Sequence, residues 1–297
     1  MLEGKILVPP LKIQGIKTKI VPTIRQYAAL DKDAVWVEPF MGSGVVGFNM
    51  APEKAVFADI NPHIIAFYQQ IQDGSITPHR VRGFLEQEGA KLEQGDADYY
   101  MEVRARFNRD HEPLDFLFLN RSCFNGMMRF NRKNEFNVPY GHKPERFAKA
   151  YVTKIVNQVA NVERLIREHD WTFVCQSFEQ TIANADSSSF IYCDPPYIGR
   201  HVDYFDNWDA EREQKLHDAL TRSGARFMVS TWESTAYRRN TYIDDVWAGC
   251  EKITRAHFYH VGAKEENRSA VIEALLLNYP PREQPRVDDN QLSFFTP

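Results

Sequence analysis

The sequence Ile191-Tyr192-Cys193-Asp194-Pro195-Pro196-Tyr197 decides the fold. The apolar run that leads into it stops at a carboxylate, two prolines and an aromatic ring. Because proline cannot donate a ladder hydrogen bond, the strand that contains this run must end at Asp194. Each proline also holds the residue before it in an extended conformation. The segment therefore predicts a rigid elbow at the carboxyl end of a buried strand.

The elbow presents groups that suit a flat heterocycle bearing an amino group. The carboxylate of Asp194 and the carbonyl of Pro195 can each accept one N–H of the amine, which favours a tetrahedral, attacking nitrogen. The ring of Tyr197 can stack on the base. We therefore predict a catalytic motif of Asp194, Pro195, Pro196 and Tyr197, with a plain strand-to-loop turn as the alternative.

Composition places the chain among ordinary globular proteins. Its 297 residues are 43 % hydrophobic and 26 % charged, enough for a full α/β core in one large domain or two modest ones. The sequence has no apolar run of about 18 residues and no signal-peptide layout at its N-terminus, so we expect a cytoplasmic protein with no membrane partner. Four widely separated cysteines without a C-x-x-C pair argue against a zinc site. The net charge of −4 means that a nucleic acid would have to be bound by a local basic patch.

A glycine turn follows the first predicted strand. Residues 34–37 predict a strand, residues 38–44 (E-P-F-M-G-S-G) a tight turn, and residues 45–50 the start of a helix. Glycines there allow a ligand to approach the backbone closely, at the carboxyl edge of a parallel sheet. The pattern is G-x-G rather than G-x-G-x-x-G, which disfavours a dinucleotide.

Two further segments are candidates for ligand contacts. A strand at residues 55–58 ends at Asp59, about 20 residues beyond the glycines, where an acidic side chain commonly binds ribose hydroxyls; helix capping by Asp59 is the alternative. Gly15 and Lys17 precede a helix-like stretch, and their turn could face a carboxylate or phosphate. A solvated N-terminal loop is the alternative for that turn.

The middle of the chain changes character at residue 116. Residues 64–109 predict amphipathic helices with a break at Gly95 and Asp96, whereas residues 116–149 interleave asparagines, basic residues and aromatics around a hairpin tip at Asn134. Arginine and asparagine read base edges in the major groove, and aromatics can wedge where a base leaves the duplex. The segment predicts a DNA-binding hairpin, with a polar surface hairpin as the alternative.

The last third of the chain again alternates strands and helices. We predict strands at residues 172–178, 189–193, 225–232 and 270–279, and a helix at residues 209–220. Residues 198–207 form a loop that could close over a substrate. The alternation predicts a mainly parallel α/β sheet.

These pieces, in this order, resemble the Dam-type (D12 class) adenine-N6 DNA methyltransferases over most of residues 8–280. The K-x-x-G-x-K segment of that family is matched by Lys12, Gly15 and Lys17, and its acidic-P-F-x-G-x-G turn by residues 38–44. Its long recognition segment is matched at residues 119–141, its D-P-P-Y motif at residues 194–197, and its last strand at residues 273–279.

The resemblance implies a fold and a cofactor. The fold is a Rossmann-like, mainly parallel α/β sheet of the S-adenosylmethionine-dependent methyltransferase type, with an inserted helical DNA-recognition domain that carries a β-hairpin. We expect residues 1–70 and 168–280 in the catalytic domain, 71–167 in the recognition insert and 281–297 in a flexible tail. The residues implied to bind S-adenosylmethionine are Gly15, Lys17, Glu38, Phe40, Gly42, Gly44, Asp59, Ile60, Ser177, Phe178 and Asp194. The residues implied to bind DNA are Asn120, Arg121, Phe124, Asn125, Arg129, Asn131, Arg132, Asn137 and Pro139.

The chain departs from the family pattern at three places. Ile13 and Ile16 stand where the family often has Trp and a second Gly. Ser177 stands where an Asp commonly precedes the phenylalanine of the adenine-binding strand end. Asn134 replaces the usual glycine at the hairpin tip, and asparagine tolerates the left-handed conformation.

The resemblance implies transfer of a methyl group from S-adenosylmethionine to N6 of an adenine flipped out of duplex DNA. The alternatives are methylation of cytosine N4 on the same fold and a non-catalytic DNA-binding module. We expect a monomer that needs no metal. The tail sequence Gln291-Leu292-Ser293-Phe294-Phe295 resembles the peptide by which bacterial proteins dock on the replication sliding clamp, with an apolar tail folded back on the body as the alternative.

Overall fold

The computed structural model describes residues 5–197, 208–235, 237–258 and 270–281. Within these residues one sheet has the strands β1 (Val35–Glu38), β2 (Lys54–Asp59), β3 (Asp170–Cys175), β4 (Ser189–Cys193), β5 (Arg226–Ser234), β6 (Glu251–Phe258) and β7 (Ala270–Leu277). The helices are α1 (Val21–Tyr27), α2 (Val45–Met50), α3 (Pro62–Gln72), α4 (Pro78–Asp110), α5 (Pro113–Ser122), α6 (Lys149–Glu168), α7 (Phe178–Ala183), α8 (Ala210–Ser223) and α9 (Tyr242–Asp245).

The sheet is mostly parallel, as the alternation of elements predicted. Its strand order is β3-β2-β1-β4-β5-β7-β6. The first five strands of this order run parallel, and β7 lies antiparallel between β5 and β6. The carboxyl ends of β1 to β5 therefore meet at one edge. The chain leaves β1 toward β2 on one side and returns to β4 on the other, which creates the crevice where ligands bind in such sheets.

The buried strand that was predicted from the sequence lies at the centre of the sheet. All five residues of β4 are buried, because the strand has parallel neighbours on both sides and helices on both faces. On one face the ring of Trp36 stacks on Phe190 and Tyr192, with centroids 5.4 and 5.8 Å apart. On the other face Ile191 and Cys193 join a second cluster beneath α7 and α8.

Strands β3 and β6 differ from the sequence prediction. Strand β3 ends at Cys175 rather than at residue 178, because Ser177 caps α7 with a reciprocal capping box to Gln180. Strand β6 was not predicted. Its sequence, E-K-I-T-R-A-H-F, is mostly polar, which suits an edge strand that pairs with β7 alone but gives little hydrophobic periodicity.

The helical part, α4 to α6, carries the predicted hairpin. Helix α4 is broken at Asp96, whose φ and ψ are 44° and −125°, as the polar break predicted. The hairpin pairs Phe130 with Phe136, and Asn134 at its tip has φ +60°, the left-handed value that was predicted. The ring of Phe130 stacks on His63 of α3 at 4.9 Å, so the hairpin rests on the helix that follows β2.

Candidate active site

A cavity of about 400 Å³ lies at the carboxyl ends of β1, β2, β3 and β4. Most of the predicted cofactor residues line it: Gly15, Lys17, Glu38, Phe40, Gly42, Asp59, Ile60, Ser177, Phe178 and Asp194. Met128 of the predicted recognition segment lines it as well. The structure thus brings together segments from four strand ends, the N-terminal segment and the hairpin.

Gly44 lies outside the lining of the cavity. It is the residue before α2 and has φ +73°, and a Cβ there would come within 2.5 Å of the ring of Phe48. The glycine at this position is required by backbone conformation and by packing rather than by close approach of a ligand.

Asp59 fixes the glycine turn to the end of β2. Its Oδ2 accepts a hydrogen bond from the Gly42 N–H and its Oδ1 one from the Asn61 N–H, both 2.9 Å long. Burial raises the pKa of Asp59 to about 6, although these backbone donors oppose the shift. The alternative of helix capping by Asp59 is wrong, because the cap of α3 is Asn61, which accepts from the His63 N–H. A carboxylate has about four acceptor sites, so Asp59 can still accept from a ligand.

Glu38 forms a buried acidic floor of the cavity. It is 2 % exposed, and its Oε2 accepts from the indole N–H of Trp36 at 2.9 Å. Burial raises the pKa of Glu38 to about 8, despite that hydrogen bond. Glu38 therefore contributes a largely protonated carboxyl group at neutral pH.

The elbow after β4 is the centre of a buried polar network. Oδ1 of Asp194 lies 2.9 Å from Nζ of Lys17 and accepts a 2.7 Å hydrogen bond from Oγ of Ser230. Ser230 in turn accepts from the hydroxyl of Tyr192 at 3.2 Å. Since a serine hydroxyl has one proton, this chain of donors runs in one direction, from Tyr192 through Ser230 to Asp194.

Lys17 faces the predicted catalytic motif. Its Nζ lies 4.8 Å from the ring centroid of Tyr197 and donates to the carbonyl of Gly15. Burial alone would lower the pKa of Lys17, but Asp194 and Tyr197 raise it well above its usual value. Burial also raises the pKa of Asp194, against the opposing effect of Lys17 and Ser230. At 2.9 Å, the ammonium of Lys17 and the hydroxyl of Ser230 both stabilise the charged form of Asp194 through the same oxygen.

The four residues of the predicted catalytic motif lie differently with respect to the cavity. Asp194 and Pro196 line it. Pro195 is buried, and Tyr197 is half-buried beside Lys17. Residues 198–207, which were predicted to form a closing loop, lie outside the described residues.

Two of the predicted DNA contacts are wrong. The side-chain amide of Asn120 is fully buried and both accepts from the N–H and donates to the C=O of Lys12, each at 2.8 Å. Arg121 is 7 % exposed and donates to the carbonyl of Pro10 and to Gln158. The L-N-R sequence is the last turn of α5, and its polar groups anchor the N-terminal segment from inside the protein.

The other predicted DNA residues lie on the hairpin and on the turn before it. Phe124 is 49 % exposed, and Asn125 has φ +53°. Arg129 donates to Asn137 across the hairpin, and Oδ1 of Asn131 accepts from two N–H groups of the tip. The two remaining residues are exposed: Arg132 and Pro139.

Sequence reasoning missed several residues of the site. Ser230 lies in the middle of an apolar strand, and Trp208 and Arg212, which line the cavity, come from a stretch without a recognisable motif. Nothing in the local sequence shows that Ser230 contacts Asp194 or that Trp208 and Arg212 face the cavity, because these contacts depend on the order of the strands.

Residues 14–266 match the family model of the D12 class N6 adenine-specific DNA methyltransferases. The chain belongs to this family. Three related D12 proteins are named DNA adenine methylase: one from Haemophilus influenzae, 36 % identical over 197 residues, one from Vibrio cholerae, 34 % identical over 193, and one from Escherichia coli K12, 32 % identical over 194. The first match covers 64 % of this chain and 63 % of the relative, and the other two cover 63 % of this chain and 64 % of the relative. The matched region thus spans slightly less than two thirds of the relatives' length.

Comparison with solved structures finds a methyltransferase of low similarity to this chain. The rRNA methyltransferase aviRa from Streptomyces viridochromogenes superposes with a TM-score of 0.35 and 9 % identity, covering 88 % of this chain and 83 % of its own. Within the described residues no helix combines the length and apolarity that a membrane span needs. In the same part of the chain no three His, Cys, Asp or Glu side chains cluster so as to hold a metal ion.

Proposed function

We propose that this chain transfers a methyl group from S-adenosylmethionine to N6 of adenine in duplex DNA. One observation carries the proposal: the carboxylate of Asp194 lines the same cavity as the glycine turn and Asp59. An acceptor for an exocyclic amine and a nucleoside-binding turn therefore share one space. Family membership and the relatives' name support adenine over cytosine N4, which a D-P-P-Y motif alone does not decide.

The cavity fits S-adenosylmethionine by the chemistry of its donors and acceptors. The glycine turn admits a ligand close to the backbone, Asp59 offers acceptors for ribose hydroxyls, and Phe40 and Phe178 offer a stacked aromatic surface, with centroids 5.4 Å apart, for a purine. When bound, this cofactor supplies a methyl group on a sulfonium, which is already a good leaving group. The protein therefore has to position and polarise rather than to activate a covalent nucleophile.

Asp194 holds the attacking nitrogen. Among the described residues both donors to its carboxylate, Lys17 and Ser230, reach Oδ1, which leaves Oδ2 to accept one N–H of the target amine. The carbonyl of Pro195 accepts the other N–H. With both hydrogens held, the lone pair of nitrogen turns from the ring toward the methyl group. Asp194 is then the nearest base for the proton that the methylated nitrogen must lose.

The DNA lies across the hairpin and the turn before it. We propose that Arg129, Asn131, Arg132 and Asn137 contact bases or phosphates, together with the exposed Phe124, Asn125 and Pro139. Flipping the adenine costs a few kcal/mol of unstacking, which stacking on Tyr197 and hydrogen bonds at Asp194 offset. In this proposal residues 71–167 form the recognition insert, residues 1–70 and 168–280 the catalytic domain, and a monomer acts on cytoplasmic, nucleoid DNA.

The direct test is incubation of the protein with labelled S-adenosylmethionine and unmethylated duplex DNA, followed by nucleoside mass spectrometry. N6-methyladenine is the expected product, and mapping of the modified sites gives the target sequence. N4-methylcytosine would overturn the choice of base. Binding of S-adenosylmethionine without any methylated base would overturn the proposed DNA substrate.

The C-terminal peptide supports a second, smaller proposal. Residues 291–295 lie outside the described residues, and their likeness to clamp-binding peptides rests on the sequence. We propose that they dock the enzyme on the replication sliding clamp. A pull-down with clamp protein should recover the full chain and lose the chain that lacks residues 290–297. Equal recovery of both chains would refute this proposal.

A further inference from the structure

Glu213 joins two tryptophans through its buried carboxylate. The indole N–H of Trp208 donates to Oε2 at 2.6 Å, and that of Trp247 donates to Oε1 at 2.8 Å. Glu213 is 4 % exposed and Trp247 1 % exposed. Trp247 packs in the core against Phe227 and His217, which fixes its indole. The carboxylate of Glu213, held by Trp247, in turn fixes the indole of Trp208.

Trp208 lies at the boundary between this anchor and the cavity. It lines the cavity, meets the ring of Phe40 edge-on at 5.5 Å, and lies tilted against Phe178, also at 5.5 Å. Phe40 and Phe178 are stacked on each other. Three rings from three different segments thus form one continuous aromatic wall.

Ser177, which precedes Phe178, already makes hydrogen bonds within the protein. Oγ of Ser177 accepts from the Gln180 N–H, and Gln180 accepts from the Ser177 N–H in return. The oxygen of Ser177 therefore takes part in the cap of α7. The wall itself offers aromatic faces to a flat ring.

We propose that Trp208 is part of the aromatic wall against which the adenine ring of the cofactor binds, and that Glu213 and Trp247 hold its indole in place. This inference rests on the proposed function, since its ligand is S-adenosylmethionine. Aromatic rings bind a purine through offset stacking and edge-to-face contacts, and a ring fixed before binding loses less entropy when the ligand arrives. Trp208 contacts the ligand, whereas Glu213 and Trp247 are positioning residues.

The choice of glutamate at position 213 follows from its two acceptor oxygens. A glutamine of the same size would offer one acceptor oxygen and one NH₂ group, which would face an indole N–H donor to donor. Two indole donors and the first turn of α8 stabilise the buried carboxylate instead. Glu213→Gln therefore changes the hold on the tryptophans with almost no change in volume.

Calorimetric titration with S-adenosylhomocysteine, the demethylated cofactor, tests the proposal on the full chain. Trp208→Ala should weaken binding by about five- to tenfold, as expected for loss of an aromatic contact, and should weaken binding of adenosine by the same factor. Trp208→Phe keeps a ring and should lose about twofold. Glu213→Gln should lie between these two. Tyr237→Ala, which removes an 81 % exposed aromatic ring, is the control and should bind as the wild type does.

Intrinsic fluorescence gives a second readout, which needs only the wild-type chain and the conservative variant Trp208→Phe. S-adenosylhomocysteine should quench the tryptophan emission of the wild-type chain, and the quench should disappear in Trp208→Phe although binding persists. If Trp208→Ala binds S-adenosylhomocysteine with the affinity of the wild type, or if the quench persists in Trp208→Phe, the role of Trp208 is overturned. Either result would leave the proposed function intact. No binding by the wild-type chain would overturn the proposed function itself.

Discussion

Lys17 and Asp194 form a buried ion pair, with Nζ 2.9 Å from Oδ1. The two residues lie 177 positions apart in the sequence, and helix α5 holds the segment that precedes Lys17. Asn120 holds the backbone of Lys12, and Arg121 holds that of Pro10. These two contacts fix the N-terminal segment that carries Lys17. Part of the predicted recognition segment thus supports, through the N-terminal segment, the carboxylate of Asp194.

Replacement of Lys17 by alanine should impair catalysis in a pH-dependent way. The ammonium of Lys17 lowers the pKa of Asp194, while Glu273 raises it. Removal of the cation therefore raises the pKa of Asp194, and the acidic limb of the profile of kcat/KM against pH should move to higher pH. Because a broken buried pair leaves an uncompensated charge, turnover at neutral pH should also fall. An acidic limb at the wild-type pH would contradict this role.

The hydroxyl of Ser230 should matter for turnover and little for cofactor affinity. Ser230→Ala removes one hydrogen bond to a carboxylate, which is worth roughly 1.5–3 kcal/mol, so kcat/KM should fall about 10- to 100-fold. Tyr192→Phe removes the donor behind Ser230 and should cost less. Steady-state kinetics and titration with S-adenosylhomocysteine, measured side by side, separate the two effects. A large loss of cofactor affinity with unchanged kcat would count against the network.

Asn120 and Arg132 should behave oppositely, although both were predicted to bind DNA. Asn120→Ala removes two hydrogen bonds from a fully buried side chain to the backbone of Lys12 and should lower the free energy of unfolding by about 1–3 kcal/mol. Arg132→Ala should leave the unfolding free energy unchanged and reduce the salt dependence of DNA binding by roughly one counterion. Urea unfolding and DNA titrations at several salt concentrations check both. If Asn120→Ala unfolds with the wild-type free energy but binds DNA weakly, Asn120 contacts DNA after all.

Glu38 should make the protein less stable as the pH rises. Its pKa is raised from 4.5 to about 8 by burial, so the folded state binds a proton more tightly than the unfolded chain does. The free energy of unfolding should therefore decline between about pH 4.5 and pH 8 through this group. Glu38→Gln should flatten that decline, while Glu53→Gln at an exposed position should not. Parallel curves for all three proteins would show that Glu38 titrates normally.

The sequence predicts what is encoded locally. The elbow at Asp194, the glycine turn, the break at Asp96 and the left-handed Asn134 each follow from residues adjacent in the chain, and the structure has them where they were predicted. The ion pair of Lys17, the donor Ser230 and the anchoring of Glu213 by Trp247 depend on contacts between distant segments. Asn120 and Arg121 were assigned to DNA because composition does not show which polar groups a helix buries.

The replacement Asp194→Asn tests the central claim most directly. The amide keeps the size of the side chain but removes its charge and one acceptor oxygen. We expect methyl transfer to duplex DNA to fall at least about a thousandfold, and affinity for S-adenosylhomocysteine to change by less than about threefold. The two effects differ because the lost acceptor is needed in the transition state and not for binding of the cofactor. Methyl transfer at the wild-type rate by Asp194→Asn would contradict the account.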